Sequence, residues 1–112
     1  MKKLFSVLSI MFISMFSMQA SAHTSGKIEQ LFINEEVGLV YVYVKGGINN
    51  PPECHGSNGD YLSFSLTRPQ AKVFLSILSL AFATGKTIYF TTAGACWDQE
   101  VSETIRHIAI MH

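Results

Sequence analysis

Apolar and polar positions alternate most cleanly along VGLVYVYVKG, residues 37–46. Val40, Val42 and Val44 fall on one side of an extended chain, and Leu39, Tyr41 and Tyr43 on the other. β-Branched and aromatic side chains suit such a pleated, half-buried surface. GKIEQLFIN (26–34) predicts a strand before it, with Ile28, Leu31, Phe32 and Ile33 bounded by Gly26 and Asn34. Glu35-Glu36 makes the turn, so the two strands read as a hairpin. DYLSFSL (60–66) alternates strictly, placing Leu62, Phe64 and Leu66 inward and Tyr61, Ser63 and Ser65 outward. KTIYFTT (86–92) and VSETIRHIAIMH (101–112) read as two further strands.

The period changes in TRPQAKVFLSILSLAFATGK, which predicts a helix over 68–84. Thr67 and Gln70 fit a capping box, Pro69 fits the first turn, and Gly85 fits the position just past the end. Phe74, Leu75, Ile77, Leu78, Ala81 and Phe82 give an apolar face. Lys72, Ser76, Ser79 and Ala83 form the opposite stripe, which carries little charge for a solvent face. Either the helix is covered by its own sheet, or this stripe faces copies of itself in a homo-oligomer.

Strand, strand, strand, helix, strand, strand is the order of an OB-fold, a five-stranded, partly open barrel that covers its own edges. The alternative is an α+β arrangement, an open antiparallel sheet with one helix packed on it.

The first 22 residues change the biological setting. Lys2 and Lys3 precede an apolar run over 4–16, and Ala20-Ser21-Ala22 has the pattern of a cleavage site. This reads as a secretory signal peptide, with the run too short for a membrane span. The expectation is an exported protein, periplasmic or secreted, with one domain over 23–112 and no membrane span after cleavage. Of eight basic and eight acidic side chains, Lys2 and Lys3 leave with the signal, giving a net charge of −2. No basic stripe remains to displace counterions, which argues against nucleic acid as a partner.

Residues 46–60 form a long loop of turn-forming residues, and Cys54 lies within it. The second cysteine, Cys96, sits in the turn AGACWDQE. Two cysteines in a small exported domain read as one disulfide. Closing that loop contributes roughly 4 kcal/mol in the chain-entropy model.

The candidate chemistry is thin. Cys54 and His55 are adjacent, whereas a catalytic Cys–His pair usually meets from separate segments. Glu35, Glu36, Glu53, Asp60, Asp98, Glu100 and Glu103 read as solvated turn residues. No phosphate loop and no nucleophile-elbow motif occurs, and no cofactor is implied. An enzyme is therefore the least supported class. A terminal His23 offers an amine and an imidazole to copper, with His55, His107 or His112 as a second ligand, but no spacing among them forms a metal motif.

What remains is surface. Tyr41, Tyr43 and Tyr61 occupy outward strand positions, and Trp97 sits beside the cysteine turn. Rings with polar tips suit interfaces and sugar stacking. The alternatives are that these rings pack beneath the helix or loop, or that Trp97 covers the disulfide. Three functions follow. The first is a glycan- or receptor-binding subunit. The second is a monomeric periplasmic accessory or inhibitor protein that binds another protein through the 46–60 loop. The third is a small metal-binding protein using His23.

FLSILSLAFATGKTIYFTT running from helix into strand, with the junction Thr84-Gly85-Lys86-Thr87-Ile88, and CWDQEVSETIRHIAIM closing the chain, carry a resemblance. The pattern resembles the OB-fold B subunits of pentameric AB toxins, the subtilase-cytotoxin type above all. That resemblance implies a ring of five subunits with helices lining a central pore, and glycan binding on the outer surface. It matches none of that family's sugar-contacting residues to positions here.

Overall fold

The computed structural model describes residues 22–56 and 61–110, and the predicted signal segment lies almost wholly outside them. The order is β1 (Ala22–Gly26), β2 (Ile28–Asn34), β3 (Leu39–Val44), β4 (Tyr61–Ser65), α1 (Ala71–Thr84), β5 (Ile88–Thr92) and β6 (Ile105–Ile110). The described residues are mostly β with one helix. Their strands form two three-stranded antiparallel sheets, β2-β3-β4 and β1-β5-β6.

The β2–β3 hairpin turns where the sequence predicts. Gly38 takes φ 67°, a conformation that costs glycine little, and its N–H donates to Asn34 O at 2.9 Å. Asn34 Oδ1 also accepts from the Glu36 N–H, fixing the turn locally. Val40, Val42 and Val44 are buried as their alternation requires, with Leu62 and Phe64 of β4 beside them. Ile88, Phe90 and Ile105 from the second sheet complete this core with Leu78 and Ala81 of the helix. α1 packs against β2 of one sheet and β6 of the other, so the α+β alternative fits.

Three expectations change. The described residues form six strands, because Ala22–Gly26 pairs with β5 although AHTSG has no apolar alternation of its own. The helix starts at Ala71 and no side chain caps it. Residues 65–71 instead form successive turns, with the Arg68 N–H on Ser65 O and the Ala71 N–H on Arg68 O, both at 3.1 Å. Thr67 Oγ1 lies 2.7 Å from Ser65 Oγ, so it is engaged there and the capping box does not form. Phe82, expected on the apolar face, is 48% exposed near the helix end. Gly85 does close the helix, at φ 69° with its N–H on Ala81 O.

Besides the connection from β4 through α1 to β5, the sheets meet at two backbone points. Only Lys27 separates β1 from β2, so consecutive strands belong to different sheets. At that bend Gly26 lies against β3: a Cβ there would sit 2.9 Å from Lys45 O and 2.9 Å from Val44 Cγ1. On the other side, a single parallel bridge links Ser63 to Thr104, just before β6. The two cysteines form the predicted disulfide, Cys54–Cys96, with Cα atoms 6.1 Å apart.

Candidate functional site

The outer face of β2-β3-β4 carries an aromatic row set by strand register. Phe32 lies opposite Tyr41, and Tyr43 lies opposite Tyr61. The rings touch in sequence: Phe32–Tyr41 at 5.4 Å, Tyr41–Tyr61 at 4.5 Å and Tyr43–Tyr61 at 5.3 Å between centroids. These are favourable offset and edge geometries.

Tyr61 is not the exposed residue that its register predicts; it is only 7% accessible. The segment before β6 covers it. Ser102 Oγ donates to Tyr61 O at 3.0 Å, and the Ser63 N–H donates to Glu103 O at 3.1 Å. Burial pushes the Tyr61 phenol above its ordinary pKa, and the neighbouring Tyr41 adds to the rise. Its hydroxyl donates to Gln99 Oε1 at 3.0 Å. Gln99 Nε2 in turn donates to the Tyr41 hydroxyl at 3.3 Å, and Asn34 Nδ2 reaches the same oxygen at 3.4 Å. Tyr41 is thus oriented from both sides.

The turn that supplies Gln99 is itself anchored. Thr104 Oγ1 accepts the N–H groups of Trp97 at 2.7 Å and Asp98 at 3.0 Å. Asp98 accepts from the Ser65 N–H at 2.7 Å and holds Arg68 through Nε at 2.6 Å and Nη2 at 3.0 Å. Burial raises the Asp98 pKa, but Arg68 and the Ser65 N–H outweigh it, so the carboxyl lies below its ordinary value. The disulfide fixes Cys96 to the long loop. Two hydrogen bonds add to that tether: the Gly56 N–H to Val101 O at 2.8 Å, and the Glu103 N–H to His55 Nδ1 at 3.0 Å.

Between hairpin and turn lies an open pocket of about 670 Å³. Asn34, Leu39 and Tyr41 line it from the sheet, and Trp97, Gln99 and Glu100 from the turn. Val37 and Val101 add exposed apolar surface. Trp97 is 58% exposed, with the Arg106 guanidinium carbon 5.7 Å from its ring centroid. The indole is therefore a partly free platform beside the pocket.

The fold brings Tyr41 and Trp97 together on this pocket and leaves Tyr43 and Tyr61 off its lining, as support behind Tyr41. The carboxylates divide. Glu35, Glu36, Glu53 and Glu100 are exposed, whereas Asp98 is ion-paired and Glu103 is fully buried. Glu103 Oε2 accepts from the Gly94 N–H at 3.0 Å, while Oε1 has no partner among the described residues. Cys54 is oxidised, and His55 serves the backbone of Glu103, so this adjacent pair is structural. His23 and His107 each pair with Thr91 in the β1-β5-β6 sheet, one strand apart on either side. Among the described residues no three His, Cys, Asp or Glu side chains gather as a metal site. Lys72, Ser76, Ser79 and Ala83 are all exposed, beside Val73 and Leu80 at 50% and 56%.

Asn34, Gln99 and Thr104 are the contributors that residue patterns miss. Only their proximity to the cysteine turn and the hairpin turn marked them. No helix among the described residues is long and apolar enough to cross a membrane. No protein-family model, curated protein or solved structure matches the chain.

Proposed function

We propose that the protein is an exported binding module that recognises a glycan or glycosylated receptor in the pocket between the β2–β3 hairpin and the 96–101 turn. One observation carries this reading. Two aromatic side chains, Tyr41 and Trp97, share a preformed pocket with the amide and carboxylate groups of Asn34, Gln99 and Glu100. Ring faces bind the C–H faces of a sugar, and adjacent amides and carboxylates serve its hydroxyls. The disulfide suits an oxidising compartment.

The proposal extends to fold and assembly. β1 and β2 read as one bent strand shared by both sheets, and the Ser63–Thr104 bridge supports closure on the other side, the path of an OB-like barrel. The exposed Lys72, Ser76, Ser79 and Ala83 stripe, with Val73 and Leu80 beside it, supports packing of α1 against copies of itself.

A glycan array probed with wild type, Tyr41→Ala and Tyr43→Ala tests the site. Binding that disappears with Tyr41→Ala and persists with Tyr43→Ala is expected. Binding untouched by Tyr41→Ala, or absent for wild type on every glycan, overturns the glycan reading. In that case Phe32, Ile33, Val37 and Trp97, all exposed around the same region, favour a protein partner.

A further inference from the structure

A second pocket, of about 420 Å³, opens at the other end of β3, lined by β1 and the loop that follows β3. Lys45 lies six residues beyond Leu39 of the first pocket, roughly 20 Å along an extended strand. The two sites share no lining residue.

The chemistry of this second pocket is one-sided. His23, Thr24, Ser25, Lys45 and Asn49 are its polar lining residues, and no Asp or Glu is among them. Lys45 forms no ion pair among the described residues. The N–H groups of Gly46 and Ile48 have no acceptor among the described residues either. A lysine and two backbone N–H groups without protein acceptors thus belong to one concavity, beside a histidine whose ring lies 5.1 Å from that of Tyr89. Such a donor set is complementary to an oxyanion.

The walls are fixed before any ligand arrives. The Asn49 N–H donates to Thr24 Oγ1 at 3.0 Å, and Asn49 Nδ2 to His23 O at 3.2 Å, clamping the loop onto β1. The Lys45 N–H donates to Lys27 O at 2.9 Å, and the Gly47 N–H to Val44 O at 3.0 Å. Gly46 and Gly47 adopt φ 92° and 85°, and a Cβ on either would meet open space, so the backbone here is glycine-dependent and uncrowded. Ile48 packs against the core and holds the loop from below. Little ordering cost remains for binding.

We propose that this pocket binds a small polar ligand through a phosphate, sulfate or carboxylate group held by Lys45 and the Gly46–Ile48 loop. The volume lies in the range of small-molecule sites, so a bare oxyanion leaves room for a hydroxylated remainder.

Amide NMR titration of the purified protein with inorganic phosphate, sulfate, acetate and glucose 6-phosphate tests the site. Shifts concentrated at Ser25, Gly46, Gly47, Ile48 and Asn49 are expected. Lys45→Met should weaken binding at least tenfold, and Lys45→Arg should restore much of it. Tighter binding of glucose 6-phosphate than of phosphate assigns the group to a larger sugar-like ligand, whereas equal affinity assigns a free ion. No localised shift with any of the four, or affinity unchanged by Lys45→Met, overturns the proposal. Tyr41→Ala should leave these shifts intact, which separates this site from the glycan pocket.

Discussion

The Tyr61 hydroxyl donates to Gln99 Oε1 at 3.0 Å, and through Gln99 a buried ring of β4 orients Tyr41, which lines the larger pocket. Gln99→Leu removes both bonds while keeping much of the volume. Stability should fall by about 1 kcal/mol. Ligand affinity should fall further, about tenfold, because Tyr41 keeps only the longer Asn34 bond and the pocket loses the Gln99 amide. The single tryptophan, Trp97, provides the readout by fluorescence titration. Unchanged affinity would mean that Tyr41 needs no such positioning.

Thr104→Val is nearly isosteric and removes one acceptor that serves two donors, the N–H groups of Trp97 and Asp98. A loss of about 2 kcal/mol is expected in urea denaturation. Trp97 should also become more mobile, seen as lower fluorescence anisotropy. Wild-type stability in this variant would show that solvent replaces the hydroxyl at no cost.

The Arg68–Asp98 pair sets a response to acid. The folded carboxyl has a lowered pKa, so its contribution is complete above about pH 4, the ordinary carboxylate range. That contribution is lost as pH falls through the lower folded value. Wild type should therefore lose Tm below about pH 4, and Asp98→Asn should show a shallower fall. At neutral pH, Arg68→Ala should cost roughly 1–3 kcal/mol, since it strips a half-buried carboxylate of two hydrogen bonds. Parallel Tm–pH curves for wild type and Asp98→Asn would remove the pair from this role.

Gly26→Ala tests the bend between β1 and β2. The added methyl meets the Lys45 carbonyl and Val44 Cγ1 at 2.9 Å, and a backbone oxygen at the end of β3 gives way poorly. Destabilisation of about 2 kcal/mol is expected. Lys27→Ala, one residue on and exposed, should change little. Equal effects from the two in chemical denaturation would show that the close approach is not limiting.

Local chemistry accounts for what could be read in advance. Val40, Val42 and Val44 alternate because one face of β3 is core, and Gly85 ends α1 because its φ is positive. Cys54 and Cys96 form the one disulfide that two cysteines in so small a domain predict. Long-range contacts decide the rest. β1 is a strand because β5 supplies partners for a segment with no pattern of its own. Tyr61 is buried because residues 102–103 cross to β4, about forty positions away, and no alternation within DYLSFSL signals that. Arg68 stays outside the helix, in the turns before Ala71, while its side chain holds Asp98, thirty residues on. Of the larger pocket's lining, the aromatic pair Tyr41 and Trp97 stood out in the sequence. Asn34 and Gln99 gain meaning only once the hairpin and the cysteine turn face each other.

The placement of β1 has a kinetic consequence. β2, β3 and β4 pair with sequence neighbours, whereas Ala22 pairs with Thr92, seventy residues later. Closing the longer loop costs more chain entropy before any contact offsets it. The β2-β3-β4 sheet should therefore form first and the β1–β5 pairing last. Pulse-labelled hydrogen exchange should show protection at Val40–Val44 before His23–Gly26, and the reverse order would refute this sequence of events. The oxyanion pocket takes one wall from β1, so it comes into existence only when the last strand docks. The hairpin bearing Tyr41 can be structured while that end of the molecule is still open.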